Sequence, residues 1–410
     1  MKNNLITISA FGSRVAAQFC ILSIAYFYLD GSDYQLFILL SFIGSFLSLF
    51  DFGLVGIATK KLSYVHFNTS ESYRSVLKLI YRSALAVVVL LSIALVLMFE
   101  LLNDLELFKL NPKILLIYFI VFITNYAFSL SLNLNFSIGN VFNARKIEIL
   151  KHSLNLICAA GLLYTFQNLE LYFIFASLMN VASIALSSVT FYMESKKRSA
   201  GDLCYKSDVL GELKRDWIKD VASSGGSEFI FKSVMFYIAL QTSKSFDVVE
   251  SNALLTMIKL MDMCSILTLQ VLWSNIKHIS NLKINGRVFY GFCIIYGALL
   301  SLILILAYFA IGLKEKAISF QFGTLIIFCG YFFWLWRCVS FFELITNLKN
   351  VYWQHWPSLI AAAYIIVVKF SLLSFYNTDL IIELILIVPL VNLLYFLSIR
   401  SVVLKYRVTT

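Results

Sequence analysis

A chain of 410 residues would ordinarily hold two or three soluble domains, but 60% of these residues are hydrophobic, 16% aromatic and only 14% charged, against about 25% charged in soluble domains. Such a chain cannot cover its own surface with polar groups, which excludes a soluble enzyme, a secreted disulfide scaffold and a disordered protein; apolar runs of about 20 residues, in place of alternating strands, exclude a β-barrel. The net charge of +10 is in this class the signature of cytoplasmic loops and not of nucleic-acid contact, so the expectation is an all-α polytopic membrane protein.

Apolar runs bounded by polar clusters predict twelve transmembrane helices. In the first half they cover 5–29, 36–58, 79–102, 114–142, 147–166 and 171–193. The opening run is too long for a signal h-region and lacks a small-residue cleavage site, so it reads as a first span. Between the second and third spans, Asn68 and Glu71 have the spacing of a helix start, and Tyr73, Val76, Leu77 and Ile80 form an apolar stripe opposite Arg74 and Lys78. This predicts either a short interfacial helix running into the third span or a third span that starts early. The linker Glu194 to Asp220 carries seven basic residues and is the only long polar stretch. The second half gives spans at 221–241, 253–276, 288–312, 320–345, 357–375 and 380–399. The expected organisation is thus an N-terminal six-helix lobe (1–193), a basic cytoplasmic linker (194–220), a C-terminal six-helix lobe (221–399) and a cytoplasmic tail (400–410), the lobes enclosing a central cavity.

With both termini inside, 22 of the 33 lysines and arginines are counted with cytoplasmic segments, among them Arg145, Lys146 and Lys151 around the start of the fifth span, and 5 fall outside. That bias predicts cytoplasmic termini. Six of the seven cysteines lie in apolar runs and none forms CxxC, and the four histidines are far apart. Neither group predicts a disulfide or a metal site.

Charges inside spans are costly and therefore mark candidate sites. At 1.5 Å per residue, Arg14, Asp51, Glu228, Lys232 and Arg337 lie roughly 10–16 Å from the cytoplasmic ends of their spans, in one layer of the inner half of the bilayer. Arg14 and Asp51 sit on adjacent antiparallel spans and could pair. Glu228 with Lys232, at i,i+4, and Lys259 with Asp262, at i,i+3, can neutralise themselves on their own helices. A water-filled vestibule holding a phosphate-bearing head group would explain the layer, with Arg14, Lys232 and Arg337 as substrate-binding residues and Asp51, Glu228 and Asp262 serving the cavity or ion coupling. Interhelical salt bridges that only fix packing are the competing explanation. No phosphate-binding loop, dinucleotide fingerprint or nucleophile elbow is present, so any driving force must come from an ion gradient, the substrate gradient or a partner.

The helix carrying Arg14 and Gln18, the Asp30-Gly31-Ser32-Asp33-Tyr34 turn, Asp51-Phe52-Gly53-Leu54 late in the second span, and Leu272-Trp273-Ser274 late in the eighth resemble the Wzx O-antigen flippases of the polysaccharide transporter branch of the MOP superfamily. Val55-Gly56-Ile57-Ala58-Thr59 departs from the pattern that follows the motif in many relatives. The resemblance implies alternating access by two six-helix lobes. It also implies movement of a polyprenyl-pyrophosphate-linked oligosaccharide across a bacterial inner membrane, with no cofactor beyond coupling to a proton or cation gradient. Membrane lipids, and a polymerase and chain-length regulator of the same pathway, are the partners it implies. Two alternatives stand beside it. A drug exporter of the same superfamily should show a dominant acidic pocket, which Arg14, Lys232 and Arg337 oppose; a membrane polysaccharide polymerase or ligase should carry a large external loop, which is missing.

Overall fold

The computed structural model describes residues 2–47, 70–102, 112–198 and 247–274, with isolated helical residues in 232–243, 294–305 and 390–394. Every regular element among them is helical. The chain divides into two units, Met1–Gly225 and Gly226–Thr410.

The first unit holds α1 (Lys2–Tyr28), α2 (Gly31–Leu47), α3 (Ser70–Leu102), α4 (Pro112–Ser137), α5 (Val141–Ala159, prolonged by a π-helical turn Ala160–Thr165) and α6 (Leu169–Arg198). Local chemistry sets their ends. Pro112 opens α4 at a position where its missing N–H costs nothing. Gly139 closes it with φ 76°: its N–H donates to the Phe136 carbonyl at 3.0 Å and that of Asn140 to the Asn135 carbonyl at 2.9 Å. This is a Schellman turn, and its left-handed residue favours glycine. Asn168 caps α6 by accepting the Leu171 N–H at 2.9 Å, after a turn that places Gln167 at φ 48°. In the second unit α7 (Val248–Ser274) starts at Asp247, whose carboxylate accepts the Glu250 N–H at 2.7 Å.

α3 runs unbroken from Ser70 to Leu102, as either reading of the segment before the third span allows, and at about 50 Å it is longer than the roughly 30 Å hydrocarbon core; residues 59–69 of that segment lie outside the described residues. Among the described residues four helical stretches, Ser9–Tyr28, Lys113–Ser137, Val141–Thr165 and Leu169–Ser195, are long and apolar enough to cross a membrane. The expected spans at 320–345 and 357–375 lie outside the described residues.

Chain direction alternates through the first unit, so α4 and α6 run parallel and pack together, while α5 packs on α1 and α6. Phe128, Leu132, Ala144 and Ile147 form a buried cluster joined by Phe136 and Ile184. The end that carries the α1–α2 and α5–α6 turns is filled by rings: Tyr26 meets Tyr34 edge-on at 5.1 Å, Phe37 stacks on Phe173 at 6.3 Å, and Phe173 meets Tyr118 edge-on at 5.2 Å. Gly44 lets α2 approach this cluster, because a Cβ there would collide with the Tyr118 hydroxyl. Close approach through a small residue is the usual means of packing helices where lipid removes the hydrophobic drive. Gly44→Ala should therefore destabilise the detergent-solubilised protein by about 1–3 kcal/mol. Tyr118→Phe in the same chain should recover part of that loss in a thermal-unfolding series, and equal loss in single and double variants would refute the contact.

Candidate functional site

Two groups of polar side chains are buried inside the first unit. At the turn end of α4, Asn135 is 0% exposed. Its amide donates to the Ser187 carbonyl at 2.8 Å and hydroxyl at 3.0 Å on α6, and to Ser131 at 3.1 Å on its own helix. Its oxygen accepts from Asn140 at 2.8 Å and from Thr190 at 3.3 Å. Higher on the same interface, Asn180 of α6 donates to Thr124 at 3.1 Å and to the Val121 carbonyl at 3.3 Å. These amides clamp α4 to α6 with their polar atoms satisfied, and structure is a sufficient account of them.

The second group is electrically different. Lys151 is 5% exposed, and its ammonium donates to the Asn125 side-chain oxygen at 2.6 Å and stands 4.1 Å from the centre of the Phe128 ring. Both partners are neutral. Arg14 on α1 and His152 lie in its electrostatic neighbourhood, and so does Glu148. Glu148, however, is taken by Arg145, which also stands 4.4 Å over the Phe136 ring. Among the described residues no carboxylate lies within ion-pair distance of Lys151 or Arg14. Lys151 is about 15 Å along α5 from Val141, close to mid-bilayer depth. A buried cation at that depth is expensive, and an amide oxygen plus a ring face offset only part of the cost. What the arrangement can do chemically is receive an anion.

The charge count places Lys151 on a cytoplasmic segment; it is instead well inside α5, because that helix begins at Val141 directly after the Gly139 turn. The signal was available in Arg145, Glu148 and Lys151 at successive steps of three, which share a helix face, and in Asn125, Asn133 and Asn135 within the fourth span.

Of the expected site residues, Arg14 is partly buried on α1, at the level of Lys151. Asp51, and with it the Arg14 pair, lies outside the described residues, as do Glu228 and Arg337. In the second unit Lys259 and Asp262 form the ion pair that their spacing predicts, at 3.8 Å, with Lys232 in the electrostatic neighbourhood of Lys259. They sit on a helix enclosed on all faces, since every residue from Ser251 to Ile258 is buried. Among the described residues no cluster of histidine, cysteine, aspartate and glutamate could hold a metal.

The elements define a polytopic helical bundle with a basic interior in its first unit. No family profile and no curated protein matches the sequence. Solved structures do. The inward-facing conformation of a multidrug resistance MATE family transporter of the MOP superfamily aligns with 97% of this chain and 96% of its own at TM-score 0.60 and 12% identity. MATE in complex with MaL6 aligns with 97% and 96% at TM-score 0.51 and 14% identity. The chain therefore has the all-α fold of the MATE transporters it aligns with, which is consistent with twelve helices in two lobes. The likeness is to transporters and not to enzymes, and it reaches the superfamily fold without reaching the polysaccharide branch.

Proposed function

We propose that this chain is an alternating-access exporter of the MOP fold that carries a negatively charged solute out of the cytoplasm. The fold similarity supports a small-molecule exporter better than a lipid-linked oligosaccharide flippase, since a similar structure is described as a multidrug resistance transporter. The single observation that specifies the charge of the solute is Lys151, a buried ammonium with neutral partners and a second basic side chain, Arg14, beside it. A cationic drug would be repelled there; an anion would complete the electrostatics.

The second reading, a flippase for a polyprenyl-pyrophosphate-linked oligosaccharide, is favoured by the Asp51-Phe52-Gly53-Leu54 motif and by the same basic interior, which suits a pyrophosphate. In either reading Arg14, Lys232 and Arg337 join Lys151 in contacting substrate, and Asp51, Glu228 and Asp262 serve the cavity or a proton or cation gradient. The protein lies in a bacterial inner membrane with both termini and the 194–220 linker inside, and its lobes are 1–193 and 221–399. Reporter fusions at Lys206 and Thr410 should both report a cytoplasmic location; an external signal from either would overturn the orientation.

The substrate is tested by efflux from proteoliposomes loaded with small organic anions or small organic cations, alongside surface-polysaccharide complementation in a strain lacking its flippase. Efflux of anions only supports the exporter, and restored polymer supports the flippase. Efflux of cations with no restored polymer would overturn the assignment of charge.

A further inference from the structure

We propose that the side of α4 bearing Asn125, Ser129 and Asn133 is the hydrated wall along which the solute meets the first unit, and that the Asn125 amide, backed by Lys151, donates to its anionic oxygens. That the solute is an anion rests on the function proposed above; the wall and its charge do not.

α4 is accessible on two sides. At about 100° per residue, Leu116, 59% exposed, and Ile120, 47% exposed, share one side, which Ala127 continues; this is the apolar side that lipid covers. Asn125, Ser129 and Asn133 are also accessible, and they follow one another at steps of four on roughly the opposite side. α1 repeats the division: the exposed rings of Phe19 and Phe27 lie roughly opposite Arg14 and Gln18, of which Gln18 is exposed. A spanning helix with an apolar lipid side and a second accessible side of amides and a hydroxyl turns that second side to water. Asn125 is about 18 Å along α4 from Ser137, at the depth of Lys151.

The polar groups of this side are not alike. The Ser129 hydroxyl donates to the Asn125 carbonyl at 3.0 Å and the Asn133 amide to the Ser129 carbonyl at 2.9 Å, so both donate along their own helix. Asn125 differs. An ammonium has donors only, so Lys151 draws the Asn125 side-chain oxygen to itself at 2.6 Å and the amide N–H groups turn away. Those N–H groups have no acceptor among the described residues, and at this depth they need one. Lys151 is almost closed off, its ammonium shared between that oxygen and the Phe128 ring, whereas Asn125 is exposed. A solute moving along this side of α4 therefore reaches the amide first, with the charges of Lys151 and Arg14 behind it. An amide whose oxygen is held by a cation donates more strongly through its nitrogen. The chemistry that this complements is an oxyanion accepting N–H donors.

The test is chemical labelling of Ser129→Cys in proteoliposomes. A sulfonate-bearing or a quaternary-ammonium methanethiosulfonate is added on both sides, and peptide mass mapping identifies the labelled residue, which keeps the native cysteines distinct. Each rate is divided by that of the same reagent on free cysteine. Ser129→Cys should be labelled, with the sulfonate reagent favoured several-fold, and Ala127→Cys, at nearly the same depth on the apolar side, should be labelled by neither. Lys151→Met in the Ser129→Cys chain should keep the labelling and lower the preference. Excess methanesulfonate should slow labelling by the cationic reagent, and Asn125→Ala, which keeps Lys151, should lose most of that protection. No labelling of Ser129→Cys, equal labelling of Ala127→Cys, a preference unchanged by Lys151→Met, or protection that survives Asn125→Ala would each overturn the proposal. None of these readouts involves transport: efflux that fails beside the expected labelling strikes the function proposed above, and absent labelling beside anion efflux strikes only this wall.

Discussion

Lys151→Met should abolish transport and leave the protein as stable as before or more so. Methionine has nearly the length of lysine and packs well against a ring, so it retains the contact with Phe128 while removing the charge. A buried cation whose contacts among the described residues are an amide oxygen and a ring carries a desolvation cost that those contacts do not recover in full, and replacing such a group by an apolar side chain of similar volume is commonly neutral or stabilising by about 1–4 kcal/mol. The unfolding midpoint in detergent should hold or rise, and anion efflux should fall by at least tenfold. A purely structural lysine gives the opposite pattern, with lost stability and efflux that survives in the protein still folded. Lys151→Glu sets a second acid one helical turn from Glu148 and should lower both stability and efflux. Lys151→Arg keeps the charge but not the compact ammonium that Asn125 accepts, and should retain part of the activity. Asn125→Ala tests orientation apart from charge: it leaves the ammonium over the ring without its amide, and should raise the substrate concentration needed for half-maximal efflux more than it lowers the maximum.

The class of this protein was legible because bilayer physics is simple: runs of about 20 apolar residues are helices or nothing. The ends of the helices were less legible, since they depend on local backbone chemistry that hydropathy ignores. Asp247 and Glu250 signal the start of α7 several residues before its apolar run, and Gly139 followed by Asn140 signals that α4 stops at Ser137 while the apolar run continues. The interior was least legible. A search for charges within spans finds Arg14, Lys259 and Asp262, but counting Lys151 with the cytoplasmic charges hides the most buried cation among the described residues of the first unit. Asn135 and Asn180 leave little trace in hydropathy because an uncharged amide scarcely alters it, yet an amide in a bilayer must find partners as surely as a charge must. The pair Lys259–Asp262 was readable because its partners share one helix. The environment of Lys151 draws on α1, α4 and α5, and only folding brings Arg14, Asn125 and Phe128 to it.

Asn135→Ala should cost more stability than alanine at any other polar position of the α4–α6 interface. The side chain is fully buried, donates to Ser187 and Ser131 and accepts from Asn140 and Thr190. Its removal leaves the Asn140 amide without its acceptor and the Ser187 hydroxyl oxygen without its donor in a region without bulk water. Each buried group left unsatisfied costs about 1–3 kcal/mol. Thr190 is buffered, since its hydroxyl also donates to the Ser187 carbonyl at 2.8 Å, so the total should be about 2–4 kcal/mol. Asn135→Asp should be worse. It keeps the shape and the acceptor but replaces the donor with a second oxygen facing the Ser187 carbonyl, and it buries a negative charge with no cation among its hydrogen-bond partners. The ordering to be measured by thermal unfolding in one detergent is unmodified protein, then Asn135→Ala, then Asn135→Asp. If the aspartate variant equals the unmodified protein, the amide donor is not what joins α4 to α6, and the clamp at this end must come from the packing of Phe128, Leu132 and Ile184 alone.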